Sequence, residues 1–119
     1  MINNSILDVF NYKPERENNI LQISNSIINS LCFPAFEIGA KVVIENCNIG
    51  TLMINNTWFE AGLVLRNTIV KSRIEYEAGG HNKSPIIIEN NIFEEYFNFF
   101  DCQFKEQVIK SWVDVDYTG

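Results

Sequence analysis

The sequence has no basic excess, no cationic leader, no long apolar run and no paired-cysteine motif, and each absence removes a class of function. Nine Lys and Arg against fifteen Asp and Glu leave a formal charge of −6, which repels phosphate backbones and anionic lipid surfaces. Nucleic acid and membranes are therefore not expected partners. Met1 leads into Ile2-Asn3-Asn4-Ser5 without a signal-peptide pattern, and the densest apolar window, Ile86-Ile87-Ile88, breaks at Glu89-Asn90-Asn91. Neither export nor a membrane span is expected, and the reading is cytoplasmic. The three cysteines, Cys32, Cys47 and Cys102, are odd in number and lack C-x-x-C spacing, so neither a disulfide framework nor a zinc site is implied. His81 is the single histidine, which leaves any Ser-His or Cys-His nucleophile pair dependent on one position. No catalytic residue, metal or cofactor is expected.

What the 119 residues do contain, at 46% hydrophobic, is the material for one domain and a repeat. A six-residue phrase, apolar-x-Asn-small/polar-x-apolar, recurs around Asn25, Asn46, Asn56, Asn67 and Asn90, again around Asp101, and in truncated form around Asn4. With the Asn or Asp as position 0, one family falls at 4, 25, 46, 67 and 90, about 21 residues apart. A second family contains Asn56 and Asp101, with a degenerate slot near Glu77. Positions −4, −2 and +3 are apolar in all six full copies, which chance would give roughly once in a million trials. Alternation at −4, −2 and 0 is the period of a strand with one face inward, and the break to +3 requires a turn at the Asn. Asn tolerates left-handed backbone angles, and stacked copies are expected to hydrogen-bond as an inward ladder.

Strands of one sense spaced about 21 residues apart can pair only as a parallel solenoid. The expected fold is all-β, a right-handed parallel β-helix of about five coils. Residues 1–20 form the amino-terminal coil and cap, 21–104 the repeat coils and 105–119 the carboxy-terminal cap. The phrase Ile86-Ile87-Ile88-Glu89-Asn90-Asn91-Ile92-Phe93 resembles the I-x-I-x-N-N-x-F coil of the pectate-lyase-like group of β-helix proteins. That resemblance spans about residues 21–104 and is structural. The group's catalytic residues have no matching motif here, so the resemblance implies the coil and assigns no chemistry. The stretch Ala78-Gly79-Gly80-His81-Asn82-Lys83-Ser84-Pro85 lengthens one repeat to 23 residues and is expected to protrude as a loop, with His81, Asn82 and Lys83 as contact residues.

Other candidates lie on the outward positions. Glu45, Arg66 and Glu89 at −1 form an acid-base-acid row, the pattern of a surface salt-bridge ladder. Cys47 and Cys102 share the +1 slot with Ser26, Thr57 and Thr68 and read as packing residues. Apolar residues at positions the alternation sends outside form two rows. Val43, Val64 and Ile87 follow Gln22 at −3, and Ile27, Ile69 and Ile92 stand at +2, with Trp58 at +2 of the second family. Such a stripe calls for a cover, whether the chain's own ends, a second copy in a homodimer, or a foreign protein. Small size, acidity and the lack of a catalytic cluster resemble the properties of bacterial immunity proteins that neutralise a basic toxin. The expected function is a non-enzymatic protein-binding module. The alternatives are a carbohydrate-binding or polysaccharide-lyase-like β-helix and a structural homo-oligomer.

Overall fold

The computed structural model describes residues 1–13, 20–33, 36–82, 84–104 and 108–114; for 36, 75, 77–82, 99–104 and 108–114 the description is of backbone alone. Every regular element in it is a strand. The first five are β1 (Ile2–Asn3), β2 (Ile6–Asn11), β3 (Ile20–Ser24), β4 (Ile27–Cys32) and β5 (Phe36–Ile38). β6 (Lys41–Glu45), β7 (Asn48–Met53), β8 (Thr57–Phe59), β9 (Leu63–Arg66) and β10 (Ile69–Val70) follow. β11 (Ile74–Asn82), β12 (Ile86–Phe93), β13 (Phe97–Phe104) and β14 (Val108–Asp114) complete the series. All their pairings are parallel. The chain is a parallel β-solenoid of about four turns, close to the five coils that the repeat implies.

Two columns of strands carry the repeat. β1, β3, β6, β9, β12 and β14 stack in the first column, and β2, β4, β7, β10 and the end of β12 in the second. Six strands at about 4.8 Å spacing make a first column about 24 Å tall. A third side holds β5 on β8 and β11 on β13. The register follows the sequence period, with Ile23 beside Ile44, Leu65 beside Ile44, and Ile88 beside Leu65.

Asparagine sets each corner between the first two columns. Asn4, Asn25, Asn46, Asn67 and Asn90 all take φ between 51° and 55°, and Asn56 takes 59° at the corresponding bend into β8. This is the left-handed region, which costs other L-residues about 1–2 kcal/mol and which Asn visits most readily after glycine. The expected inward ladder is corrected by the orientation of these side chains. Asn25, Asn46, Asn67 and Asn90 are exposed, and Asn90 donates outside the coil to Asn67 Oδ1. A left-handed residue turns its own side chain outward and hands the inward place to +1.

The buried ladder therefore runs through Ser26, Cys47, Thr68 and Asn91, each no more than 4% exposed. The corner leaves backbone N–H groups at +1, and side chains one coil on accept them. Ser5 N–H donates to Ser26 Oγ (3.1 Å), Cys47 N–H to Thr68 Oγ1 (3.4 Å) and Thr68 N–H to Asn91 Oδ1 (3.0 Å). Ser26 and Thr68 hydroxyls donate in turn to the carbonyls of Ser24 and Arg66. Small side chains are selected here because they must fit the corner and accept a hydrogen bond.

Inside the coils the −4, −2 and +3 residues close the core: Val42, Ile44 and Ile49 of one coil are fully buried, as are Leu65, Val70, Ile86, Ile88 and Phe93 above them. On the third side Tyr12, Phe33, Phe59 and Tyr76 form a run of rings with centroids 5.6, 5.8 and 5.9 Å apart. The Tyr76 hydroxyl donates to the Thr57 carbonyl at 2.8 Å, so its polar tip is satisfied at full burial.

Over residues 78–82 the expected loop is overturned. β11 continues as strand through Asn82, and its register against β13 shifts between Glu77 and Gly80. Ala78 and Gly79 are absorbed as a bulge, which the small Gly79-Gly80 pair permits where a protruding turn was expected. The segment 108–114 pairs in parallel on β12, from Ile86 beside Val108 to Phe93 beside Asp114.

Candidate functional site

The two outward apolar rows differ once placed on the solenoid. Gln22, Val43, Val64 and Ile87 do lie side by side on adjacent strands of the first column. Gln22, Val43 and Ile87 are half-buried, but Val64, held between Val43 and Ile87, is only 3% exposed. The −3 row is thus covered at its centre and half-covered at its flanks.

The +2 row is the open one. Ile6, Ile27, Asn48, Ile69 and Ile92 are register partners on five successive rungs of the second column. Ile6 is 81% exposed, Ile27 53% and Ile92 42%, while Asn48 and Ile69 are half-buried. Alternation explains the placement: Ile28, Ile49, Val70 and Phe93, one residue on, are all fully buried. Ile6 was not singled out from the sequence, although it occupies +2 of the truncated first copy around Asn4. Val9 and Met53, exposed on the same column of strands, escaped notice because they lie outside the six-residue phrase.

Shallow grooves flank this ridge. One, of about 350 Å³, is bounded by Ile6, Asp8, Ile27, Asn29, Gly50 and Lys71. Gly50 shapes it, since a Cβ there would stand 2.5 Å from the Asn29 carbonyl oxygen. Asn29 Nδ2 donates to Asp8 Oδ1 at 3.1 Å along its wall. The other groove, of about 500 Å³, is bounded by the corner amides Asn25, Asn46 and Asn67 with Ile27, Asn48 and Ile69. The face presents an apolar line between two rows of amide and charged groups, on strands held rigidly by their neighbours.

The remaining candidates are not brought to it. Trp58 is half-buried on β8, on the third side, opposite Glu37 of β5. His81 and Asn82 lie in β11 beside Gln103 and Phe104, and Lys83 falls outside the described residues. The acidic-basic row at −1 is an ion-pair ladder, with Arg66 3.6 Å from Glu45 and 3.7 Å from Glu89. Such half-exposed pairs contribute less than about 1 kcal/mol each. Burial pushes the Cys47 thiol above its ordinary range, and the nearby Glu45 charge adds to the effect against the lowering by backbone contacts at Ser26 and Glu45. Cys47 is thereby kept a neutral packing group. Among the described residues no three or more His, Cys, Asp or Glu side chains converge as a metal site, and no helix is long and apolar enough to cross a membrane. Compared with known proteins, the chain matches no family model, no curated protein and no solved structure.

Proposed function

We propose that this protein is a non-enzymatic binding module of the cytoplasm that takes up a basic protein partner on the outer face of the second strand column. The observation that carries the reading is the ridge of Ile6, Ile27, Ile69 and Ile92, in register along the column with Asn48 on the rung between Ile27 and Ile69, and open to solvent at three of the four isoleucines. Apolar side chains fixed on a paired sheet lose little entropy on docking, so they suit the centre of an interface. The charge of −6 supplies long-range attraction for a cationic protein and speeds its approach. Sequestration of a basic toxin, as by an immunity protein, fits both features. The groove bounded by Asn25, Asn46 and Asn67 favours a second reading, in which spaced amides hydrogen-bond the hydroxyls of a glycan.

Capture from source-cell lysate at low and high salt distinguishes the two readings, using the wild type and the double variant Ile27→Glu/Ile92→Glu. Both substitutions are on exposed side chains, so the fold survives them. The reading expects a stoichiometric basic protein that is retained at low salt, released at high salt and lost from the variant. Retention unchanged by salt and by the variant contradicts it. Binding of oligosaccharide that persists in high salt and is lost on Asn46→Gly, which removes the amide and keeps the left-handed corner, selects the glycan instead.

A further inference from the structure

Cys32 and Met53 stand one repeat apart in sequence, each seven places beyond the corner asparagine of its coil, Asn25 and Asn46. The period makes them register partners, the last residues of β4 and β7 on adjacent rungs of the second column. Neighbouring strands lie about 4.8 Å apart, so side chains in register on one side of the sheet meet. Here the Cys32 thiol donates to the Met53 thioether, with Sγ and Sδ 3.6 Å apart. The pair lies at the surface, Met53 being 51% exposed and Cys32 half-buried. Cys47 shows the contrast. It is 4% exposed, and its thiol donates to the carbonyls of Ile23 and Glu45 at 3.6 and 3.2 Å. The corner absorbs that thiol, whereas the Cys32 thiol faces a second sulfur.

We infer that Cys32 and Met53 form a binding site for Cu(I), the ion taking the place of the thiol proton between the two sulfurs. The donor set makes the choice. Thiolate and thioether sulfur suit Cu(I), zinc and iron–sulfur clusters, while calcium and magnesium take oxygen. Zinc sites use at least three protein ligands and iron–sulfur clusters four, and this pair supplies two. Among the described residues no three or more His, Cys, Asp or Glu side chains gather to make up the number. Cu(I) is satisfied by two ligands or by three, and the solvent side of the pair is open to a small third one. The spacing fits as well. With metal–sulfur bonds of about 2.3 Å, sulfurs 3.6 Å apart subtend about 100° at a shared ion, and the unbranched Met53 side chain widens that angle by rotation. On binding, the S–H bond of Cys32 breaks, its proton passes to solvent, and the ion bonds to Sγ and Sδ with no electron transferred. Ile27 and Asn48 of the ridge are the first residues of β4 and β7, at the other end of the same strands, so the site stands apart from the docking face.

Anaerobic titration of the reduced protein with Cu(I), in competition with a chromophoric Cu(I) chelator, tests this on the wild type, Cys32→Ser and Met53→Leu. Leucine keeps the volume of Met53 and serine the shape of Cys32, so both variants keep the coil. The expected result is a single Cu(I) held by the wild type, lost from Cys32→Ser and bound at least about tenfold more weakly by Met53→Leu. A wild type that takes up no Cu(I) overturns the inference, as does Cu(I) that either variant holds as tightly as the wild type. Zn(II) that displaces Cu(I) from the wild type at equal concentration overturns it too. Methyl spectra of the wild type provide an arm independent of the variants' folding. The Met53 methyl is expected to shift with the first equivalent of Cu(I) while that of Met1, 88% exposed, stays in place. A Met53 methyl that does not move contradicts the site.

Discussion

At the residue scale the molecule depends on a corner that asparagine makes and the following residue seals. Asn46, at φ 54°, links β6 to β7 in the middle of the stack. Asn46→Ala is expected to lower stability by about 1 kcal/mol and Asn46→Val by more, while Asn46→Gly stays close to wild type. Denaturant unfolding of the three variants gives that order or refutes the role of the left-handed corner. Thr68 accepts the Cys47 N–H and donates to the Arg66 carbonyl while 1% exposed. Thr68→Val keeps the shape but leaves a buried N–H without its acceptor, at an expected cost of about 1–3 kcal/mol, and Thr68→Ser restores most of it. Cys47 links this ladder to pH. Burial raises its thiol above its ordinary value in the folded chain, so between the unfolded and folded values the native state holds the extra proton. Its contribution to stability is complete below the unfolded value and is lost as pH rises through the folded value. Cys47→Ala is expected to flatten that alkaline decline in a pH series of unfolding midpoints.

At the element scale, the strands follow from a period of two interrupted once per corner, and this much can be read from residue types. Leu63, Leu65 and Val70 are inward because the phrase around Asn67 puts them there, and all three are at most 1% exposed. The direction of the Asn side chains was not legible, because alternation continued through position 0 points them inward and only the left-handed backbone reverses it. The bulge at 78–79 was hidden for a related reason. Gly79-Gly80 is compatible with a turn and with a bulge, and the choice is made by the pairing of β11 with β13, a partner about 23 residues away. That Val64 is covered was not legible, because alternation reports which face a residue takes and not what packs over that face. The aromatic run of the third side was illegible as well, since Phe33, Phe59 and Tyr76 keep no common position in the repeat. Phe59 packs between the other two rings, and Phe59→Ala is expected to cost about 3–5 kcal/mol in equilibrium unfolding. A loss below about 1 kcal/mol would show that the third side does not hold the coils together.

At the scale of the whole molecule, a solenoid turns one sequence position into a line. The +2 isoleucines are scattered through 87 residues of chain, from Ile6 to Ile92, and reach one ridge only because each coil repeats the last in register. The proposed docking of a basic protein inherits that geometry along the ridge. The most direct test is an isotope-edited nuclear Overhauser experiment on the isoleucine methyls and backbone amides. Contacts are predicted from Ile6 to Ile27, from Ile27 to Asn48, from Asn48 to Ile69 and from Ile69 to Ile92, each pair one coil apart with its strands parallel. Contacts confined to residues near in sequence, or a pattern of antiparallel pairs, would contradict the solenoid and the ridge together.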